Sequence, residues 1–248
     1  MSTGSALTGQ VAIVTGGSKG YGAGIAQRLR EAGATVWITG RDEAALRATA
    51  DRLGVNSCCA DVTKGADWDR LFEQAWSAHG RIDILVNNAG AGIRIAPTDR
   101  QTDEAIEQSI AVNLTGPLLG CRRAAPVMKR QGAGIIINIS SVCARYAWPG
   151  WGPYSAAKAG LNQFAHCLYT ELRKSGVRVT TITPSWGATE FGTAAQIANM
   201  PTDDPAVRSK CMQPLELGDL VVHLASMPSH LDVPDITVQP LVQEIVPL

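Results

Sequence analysis

The chain has 248 residues, enough to bury a large apolar core, and an α/β chain of this length commonly forms one domain. Its 22 basic and 22 acidic residues cancel, so no net field favours nucleic acid or an anionic membrane surface. No apolar stretch approaches about 18 residues, and the N-terminal residues lack the pattern of a secretory signal. We therefore predict a single cytoplasmic domain over residues 1–248 that binds neither nucleic acid nor a membrane.

The cysteines and histidines lack the spacing of a metal site. None of the six cysteines forms a CxxC pair, and the four histidines form no HxH or HExxH pair. In a reducing compartment, most such cysteines are small core residues. The sequence therefore predicts no metal centre.

Short apolar runs alternate with segments of helical periodicity along most of the chain. In chain order, the predicted strands are Val11–Thr15, Thr35–Thr39, Ile82–Asn87, Gly134–Ser140 and Val177–Thr183, with a last strand within Val233–Pro240. The predicted helices between them include Gly22–Ala32, Asp42–Leu53, Ala66–His79, Asp103–Asn113 and Ser155–Lys174. This alternation predicts an α/β fold, a doubly wound Rossmann-type parallel sheet with helices on both faces and right-handed crossovers.

The segment at about 188–214 breaks this alternation with three prolines and mixed polarity. Long segments of this kind in a compact domain often cover a functional site. Two interpretations stay open, a mobile lid and an ordinary surface excursion.

A glycine-rich segment, Thr15–Gly22, joins the first predicted strand to the first predicted helix. Glycine lets the backbone turn tightly and approach a pyrophosphate, and the helix N-terminus adds amide donors and a favourable dipole. A glycine cluster alone is weak evidence, but this one begins a series of βα units. The sequence therefore predicts a dinucleotide site whose phosphate-binding residues are Gly16, Ser18, Lys19, Gly20 and Tyr21.

The end of the second strand should select between NAD(H) and NADP(H), because the adenosine ribose lies there in doubly wound dinucleotide folds. An NAD enzyme often has an acidic residue at this point, whereas this chain has Gly40 and then Arg41. Asp42 is better explained as the N-cap of the next helix. With Lys19, Arg41 forms a positive pocket suited to a 2′-phosphate, so NADP(H) is favoured over NAD(H). The alternative for Arg41 is a solvated surface charge.

Tyr154 and Lys158 have the i,i+4 spacing that puts two side chains on one face of a helix, which by itself is only suggestive. Further motifs accompany this pair in a fixed order along most of the chain. Together they resemble the short, single-domain branch of the short-chain dehydrogenase/reductase family, with TGxxxGxG spacing rather than the TGxxGxxG of its longer epimerase branch. The motifs are Thr15–Gly22, Asn87–Gly90, Val112–Asn113, Ser140–Ser141 and Tyr154–Lys158.

The resemblance implies an NADP(H)-dependent oxidoreductase that acts on CH-OH donors and interconverts a small-molecule carbonyl and a secondary alcohol by hydride transfer. It implies that Tyr154 is the general acid/base, Lys158 its electrostatic partner and a ribose ligand, Ser141 the clamp on the substrate oxygen, and Asn113 a water-relay residue. Positive charge near the phenol would lower its pKa from about 10, as this role requires. The neighbouring Ser140 is expected to support the strand end.

The same resemblance assigns the remaining cofactor contacts. They are Asp61 and Val62 at the adenine, Asn88, Ala89 and Gly90 beside the adenosine, and Pro184, Gly187 and Thr189 beside the nicotinamide. Two residues depart from the family pattern, since Ser185 replaces a glycine and Gly187 replaces a β-branched residue. The backbone beside the nicotinamide is therefore expected to differ.

The substrate end is predicted from loops that should border Tyr154. Four aromatic residues lie in these loops and indicate a partly aromatic pocket, although plain loop packing is an alternative; they are Trp148, Trp151, Trp186 and Phe191. Arg94 and Arg145 are candidates for contact with an anionic substrate. The predicted last strand also looks like that of the 3-hydroxy acid and serine dehydrogenase members of the family, a second hint toward acidic substrates.

Family members commonly form tetramers through the helix before Asn113, with its continuation, and the helix that carries Tyr154. The latter helix has more apolar surface than one sheet face needs, so a homotetramer, or a dimer, is expected. Three alternative functions stay open on the same fold: a non-catalytic NADP(H)-binding sensor, a redox-neutral epimerase or dehydratase, and a dehalogenase without nicotinamide.

Overall fold

Seven parallel strands form one sheet in the order β3-β2-β1-β4-β5-β6-β7. The computed structural model describes residues 6–195, 197 and 200–244. The strands are β1 (Val11–Thr15), β2 (Thr35–Gly40), β3 (Asn56–Cys59), β4 (Ile84–Asn87), β5 (Gly134–Ile139), β6 (Val177–Pro184) and β7 (Asp235–Val238). The strand order reverses between β1 and β4, which leaves a crevice at the carboxyl ends of these two strands. The predicted doubly wound fold is confirmed.

Helices cover both faces of the sheet. They are α1 (Gly20–Glu31), α2 (Glu43–Leu53), α3 (Gly65–His79), α4 (Asp103–Ile110), α5 (Gly116–Gln131), α6 (Gly152–Leu172), α7 (Phe191–Ala194), α8 (Pro205–Arg208) and α9 (Pro214–Ser226). Asp42 caps α2 as predicted, because its carboxylate accepts a hydrogen bond from the Ala45 amide at 3.0 Å. In the described part of the chain, no helix is long and apolar enough to cross a membrane.

The predicted helix Asp103–Asn113 differs from the structure at its end. Helix α4 stops at Ile110, a π-helical turn follows over Ala111–Thr115, and α5 continues to Gln131. The Gly116-Pro117 pair looks like a helix stop in the sequence, yet the backbone stays helical from Ile110 through Gly116 into α5, whose first turn contains Pro117. The extra residue of a π turn rotates the following helix, and it places Asn113 inside the protein.

Two apolar clusters lie on the two faces of the sheet. Alternate residues of β1 belong to different clusters: Val14 packs with α1, α2 and α9, whereas Ile13 packs with α3, α5 and α6. Full burial of such a side chain contributes about 1.5–3 kcal/mol. Four of the six cysteines are buried, as expected of core residues, and Cys59 and Cys167 are exposed. Edge strand β3 has one buried residue, so no apolar run marks it in the sequence.

The described part of the segment at about 188–214 contains short helices near the carboxyl ends of the strands. Besides α7 and α8, it contains a 3₁₀ turn over Pro201–Asp203. Backbone hydrogen bonds join its two ends, from the Ala188 amide to the Met212 carbonyl at 2.9 Å and from the Met212 amide to the Trp186 carbonyl at 3.1 Å. The segment therefore leaves and rejoins the fold at one place beside β6.

Candidate active site

A cavity of about 710 Å³ opens at the carboxyl ends of the strands. Its walls come from the loops that follow β1 to β6, at the point where the strand order reverses. Ligands of open α/β sheets bind at this location. Every residue that the sequence predicts for cofactor contact borders this cavity: Gly16, Ser18, Lys19, Gly20, Tyr21, Arg41, Asp61, Val62, Asn88, Ala89, Gly90, Tyr154, Lys158, Pro184, Gly187 and Thr189.

The glycine-rich turn before α1 is shaped for close approach of a ligand. Gly16 and Gly20 have φ angles of +66° and +52°, which side chains rarely adopt. A Cβ atom on Gly22 would lie 2.7 Å from the Asn88 side-chain nitrogen, so only glycine fits there. Lys19 stands at the N-cap without a side-chain cap, and the first turn of α1 contains no acidic residue. The free amides of this turn therefore suit a phosphate group.

Thr15 and Asn88 hold the glycine-rich turn against the loop after β4. The Thr15 hydroxyl oxygen accepts hydrogen bonds from the backbone amides of Asn88 at 3.0 Å and Ala89 at 2.9 Å. The Asn88 side chain donates in return to the Thr15 carbonyl at 2.8 Å. These bonds join the end of β1 to the loop after β4, so hydrogen bonds within the protein hold the floor of the cavity.

Two cations border the cavity beside the end of β2. Arg41 is exposed just beyond β2, and Lys19 is exposed in the glycine-rich turn. Neither forms an ion pair with any residue in the ranges that the structure describes. Asp61, just after β3, also borders the cavity, and its carboxylate accepts hydrogen bonds from the amide and hydroxyl of Thr63, at 2.9 and 2.8 Å.

Tyr154 and Lys158 lie on the first turns of α6 and face the cavity from its interior side. Both side chains are buried, with 8% and 3% of their surface exposed. The Lys158 ammonium donates a hydrogen bond to the Ile139 carbonyl at 2.8 Å and lies 5.7 Å from the centre of the Tyr154 ring. Ser141 follows β5 on the same wall of the cavity. Of the predicted catalytic set, Ser141, Tyr154 and Lys158 therefore border the same cavity.

Burial shifts the pKa values of Tyr154 and Lys158 in opposite directions. Burial raises the pKa of Tyr154 above its usual value, Cys143 acts in the same direction, and Ser141 opposes it. Burial lowers the pKa of Lys158 from 10.5 to about 8, against the influence of Cys143. At neutral pH the phenol is therefore protonated and ready to donate, and the ammonium is still largely charged.

Ser140 and Ser141 have different partners, as expected from their positions. The Ser140 hydroxyl donates to the side-chain oxygen of Asn162 on α6 at 2.5 Å, which supports the strand end. The Ser141 oxygen accepts a hydrogen bond from the Cys143 amide at 3.2 Å and caps a 3₁₀ turn over Val142–Ala144. The Ser141 hydroxyl hydrogen is thereby left available to the cavity.

Asn113 is fully buried in the π turn and does not border the cavity. Its amide group donates to the carbonyls of Ala91 and Ser109, at 2.8 and 3.0 Å, and accepts from the Ala91 amide at 3.1 Å. A Cβ atom on Gly90 would lie 2.9 Å from the Asn113 side-chain oxygen and 3.4 Å from the Lys158 nitrogen. The side chain thus fastens the loop after β4 behind the site.

Aromatic rings enclose the substrate end. Trp151 and Phe191 are stacked, with ring centres 6.2 Å apart and planes at 10°. The Tyr154 ring lies 5.7 Å from Trp151 and 5.5 Å from Phe191. The other predicted aromatic residues, Trp148 and Trp186, also border the cavity.

The sequence did not indicate several other residues that border the same cavity. They are Val142, Cys143, Glu190, Ile197, Met200 and Thr202. Cys143 follows Ser141 by two positions on one short turn, a spacing that could have identified it. The others, apart from Val142, come from the segment at about 188–214, whose path has no periodic signal.

The two arginines expected near the substrate, Arg94 and Arg145, do not border this cavity. Arg145 extends to β7, where it forms an ion pair with Asp235 at 2.6 Å and donates to the Thr237 hydroxyl at 2.9 Å. Arg94 borders a separate surface depression beside Thr102 and Glu104. The pairing of β7 with β6 brings a carboxylate within reach of Arg145, and this partner is far away in the sequence.

Known proteins resemble this chain over nearly its whole length. The family model described as short chain dehydrogenase matches residues 10–199. An uncharacterized oxidoreductase of Staphylococcus aureus strain MRSA252 is 35% identical over 238 residues, covering 95% of this chain and 99% of the relative.

Solved structures share both sequence and fold with this chain. A metagenomic short-chain oxidoreductase in complex with NADP is 32% identical with a TM-score of 0.82, over 96% of this chain and 100% of that chain. The closed form of serine dehydrogenase complexed with NADP⁺ is 29% identical with a TM-score of 0.87, over 96% of this chain and 98% of that chain. The motifs, the fold and these relatives agree, and the chain belongs to the short-chain dehydrogenase/reductase family.

Proposed function

We propose that this protein is an NADP(H)-dependent oxidoreductase that interconverts a carbonyl and a secondary alcohol, with Tyr154 as the general acid/base. One observation carries the proposal: a single cavity joins the glycine-rich turn, with its open helix N-terminus, to the buried Tyr154–Lys158 pair. A bound nicotinamide would supply the hydride for reduction or accept it in the reverse direction. Two related structures that contain NADP support this choice of cofactor.

The residues of the chain supply the proton and stabilise the developing charge. The Tyr154 phenol donates its proton to the carbonyl oxygen as that oxygen becomes an alkoxide, and the Ser141 hydroxyl donates a hydrogen bond to the same atom. The Lys158 ammonium stabilises the phenolate that remains, and the interaction is strong because the site excludes water. In the direction of alcohol oxidation, the phenolate accepts the hydroxyl proton.

Preference for NADP(H) follows from the charges at the adenosine end. Lys19 and Arg41 border the region beyond β2 where the ribose phosphate would lie, and no acidic side chain precedes Arg41 at the strand end. Charge-assisted hydrogen bonds to a phosphate are among the strongest that proteins form. The proposed selectivity rests on these two cations.

The substrate that fits best is uncharged and bears an apolar or aromatic group. Among the described residues that border the cavity, the cations are Lys19 and Arg41 at the adenosine end and Lys158 at the centre. The substrate end has aromatic walls, which include the stacked rings of Trp151 and Phe191. A substrate carboxylate would therefore lose its hydration against aromatic walls that offer it no cation.

The test measures oxidation of NADPH and of NADH, by near-ultraviolet absorbance, with two α-keto compounds of the same skeleton, the neutral methyl phenylglyoxylate and the anionic phenylglyoxylate. We expect turnover that prefers NADPH and the neutral ketone. In Tyr154→Phe, kcat should fall by about 10²–10⁴-fold, because the proton donor is removed while the ring is kept.

Several outcomes would contradict parts of this proposal. Preference for phenylglyoxylate would contradict the uncharged substrate and restore the anionic one. Equal turnover in Tyr154→Phe would contradict the role of the phenol. Binding of NADPH without turnover of any ketone, or of any alcohol with NADP⁺, would favour a sensor or a redox-neutral enzyme.

A further inference from the structure

Gln243 has a buried polar side chain just beyond the last strand. The chain turns back after β7, where the Gln243 backbone amide donates a hydrogen bond to the Pro240 carbonyl at 3.1 Å. The Gln239 side chain donates to the Gln243 carbonyl at 3.0 Å and closes the same turn. Leu241 and Val242 are exposed, whereas only 6% of the Gln243 surface is exposed. The turn therefore places a polar side chain inside and two apolar ones outside, the reverse of the usual distribution.

The oxygen of the Gln243 side chain has a partner within the protein. It accepts a hydrogen bond from the Trp186 backbone amide at 3.1 Å. Because a backbone N–H requires an acceptor, this contact identifies the oxygen and leaves the NH₂ group as the other end of the side chain. The Trp186 carbonyl accepts in turn from the Met212 amide at 3.1 Å. The position of the Gln243 side chain beside Trp186 is therefore well defined.

The nitrogen of the Gln243 side chain has two N–H donors and no partner among the residues that the structure describes. It differs from the unpaired hydroxyls of Thr181 and Thr183 on β6, which are sealed within the protein. Gln243 borders the large cavity, and the rest of the residue is almost completely covered. A donor in such a place destabilises the protein unless a ligand or water accepts its hydrogen bond. We therefore assign its free N–H groups to the cavity.

The sheet topology indicates which part of a ligand Gln243 meets. The glycine-rich turn follows β1 and Arg41 follows β2, whereas Gln243 follows β7, at the opposite edge of the sheet. Tyr154 borders the same cavity, and Trp186, the hydrogen-bond partner of Gln243, belongs to the substrate end. A group beside Gln243 therefore lies on the far side of the site from the adenosine end, where the substrate would extend beyond its reacting carbonyl.

We propose that Gln243 is a specificity-determining residue whose side-chain amide donates a hydrogen bond to a second, uncharged oxygen of the substrate, such as the carbonyl oxygen of an ester. A primary amide offers a donor without net charge, so it suits a neutral acceptor and supplies no counterion to a carboxylate. The inference deepens the proposed function and rests on it, because it requires a ketone substrate in this cavity. It narrows the substrate class to ketones that carry a further neutral acceptor.

The test uses Gln243→Glu, because a carboxylate oxygen can still accept from the Trp186 amide while the NH₂ donor becomes an acceptor. Initial rates are measured with NADPH at pH 8 for two keto esters, methyl phenylglyoxylate and methyl benzoylacetate, and for butyrophenone, which has no second oxygen. For at least one ester, we expect kcat/KM relative to that of butyrophenone to fall about tenfold, mainly through KM. The reason is that a hydrogen bond is replaced by a contact between two acceptors.

Two further variants separate the lost donor from added charge and from altered folding. Gln243→Met has no N–H donor at any pH and should show the same preferential loss with the ester. Its Tm should also fall, because the Trp186 amide loses its acceptor. Gln74→Glu adds the same charge on the exposed side of α3, away from the cavity, and should leave the ratio of ester to butyrophenone unchanged.

The outcomes separate this inference from the proposed function. Unchanged ratios in both Gln243 variants would overturn the inference alone. Equal losses with the esters and with butyrophenone would also overturn it, because Gln243 would then only hold Trp186 in place. If the unaltered protein reduces none of the three ketones with NADPH, the proposed function fails and the inference fails with it.

Discussion

Lys158 carries an ammonium group into a site where 3% of its surface is exposed. Its hydrogen bond to the Ile139 carbonyl satisfies one of three N–H donors, and the remaining ones face the cavity. A buried lysine destabilises the folded chain. We therefore attribute the presence of Lys158 to the charge that it places beside Tyr154. The proposed catalytic arrangement therefore has a stability cost that depends on pH.

We expect the stability of the protein, relative to Lys158→Met, to rise between about pH 8 and pH 10.5. Below pH 8 the lysine is protonated in the folded and unfolded states, so the burial penalty is complete. Above pH 10.5 it is neutral in both states, and the penalty is gone. The lowering of the pKa from 10.5 to about 8 corresponds to about 3 kcal/mol. Urea unfolding across this pH range measures the difference, and a pH-independent difference would contradict the expectation.

Arg41 is the residue on which the proposed preference for NADP(H) depends most directly. We expect Arg41→Ala to raise the Kd of NADPH by about 10- to 100-fold, through loss of charge-assisted hydrogen bonds to the 2′-phosphate, and to leave the Kd of NADH nearly unchanged. Fluorescence titration with both cofactors measures this. Arg47→Ala is the matched control, because Arg47 is exposed on α2 and does not border the cavity. Equal increases in the Kd of NADPH and of NADH would show that Arg41 does not contact the 2′-phosphate.

At the scale of elements, two glycines determine how closely α1 and α9 pack. A Cβ atom on Gly24 of α1 would lie 2.7 Å from the Pro214 side chain, and one on Gly218 of α9 would lie 2.7 Å from the Gly24 carbonyl oxygen. These neighbours are backbone or ring atoms that cannot move aside. The close contact links the glycine-rich turn, which precedes α1, to the end of the segment at about 188–214.

We expect Gly24→Ala to lower the free energy of unfolding by about 1–3 kcal/mol through overpacking. The separation of the two helices should also displace the start of α1 and weaken NADPH binding. Gly152→Ala is a suitable control, because a Cβ atom on this helix-end glycine would meet no atom of the described residues within 4 Å. Chemical denaturation measures both variants, and equal stability of the two would show that α1 and α9 can separate without loss.

At the scale of the whole molecule, we predict a homotetramer. Helix α6 buries one side against the sheet, and on its outer side the small residues Ala156 and Ala159 are exposed. Small residues allow two helices to approach closely, and a two-fold axis would pair this surface with itself. The expected mass in light scattering is four times the 26.2 kDa of one chain.

Ala159→Glu should reduce that mass, since it places like charges opposite each other across the two-fold axis. Ala48→Glu, on the exposed side of α2, is the control and should leave the mass unchanged. A single-chain mass for the unaltered protein would contradict the tetramer. A mass unaffected by Ala159→Glu would place the contact on another surface.

Local patterns in the sequence were sufficient for the fold and for the central residues of the candidate site. The apolar runs that became β1, β5 and β6 reflect the burial of parallel strands on both faces. The glycine-rich turn and the Tyr154–Lys158 spacing are equally local, because the turn needs particular φ angles and the pair needs one helical turn. The third strand and the π turn had no such pattern, since one is polar and the other resembles ordinary helix.

The sequence by itself thus determined the class of fold, the dinucleotide-binding turn and the residues resembling a catalytic set. Only the tertiary structure decided that Arg145 pairs with Asp235, that Asn113 fastens the loop after β4, and that Tyr21 fills the space beside Gly187. Periodicity and turn chemistry depend on neighbours along the chain, so they can be read from it directly. The partner of a side chain depends on which distant backbone lies beside it, and the packing of the sheet and helices settles that.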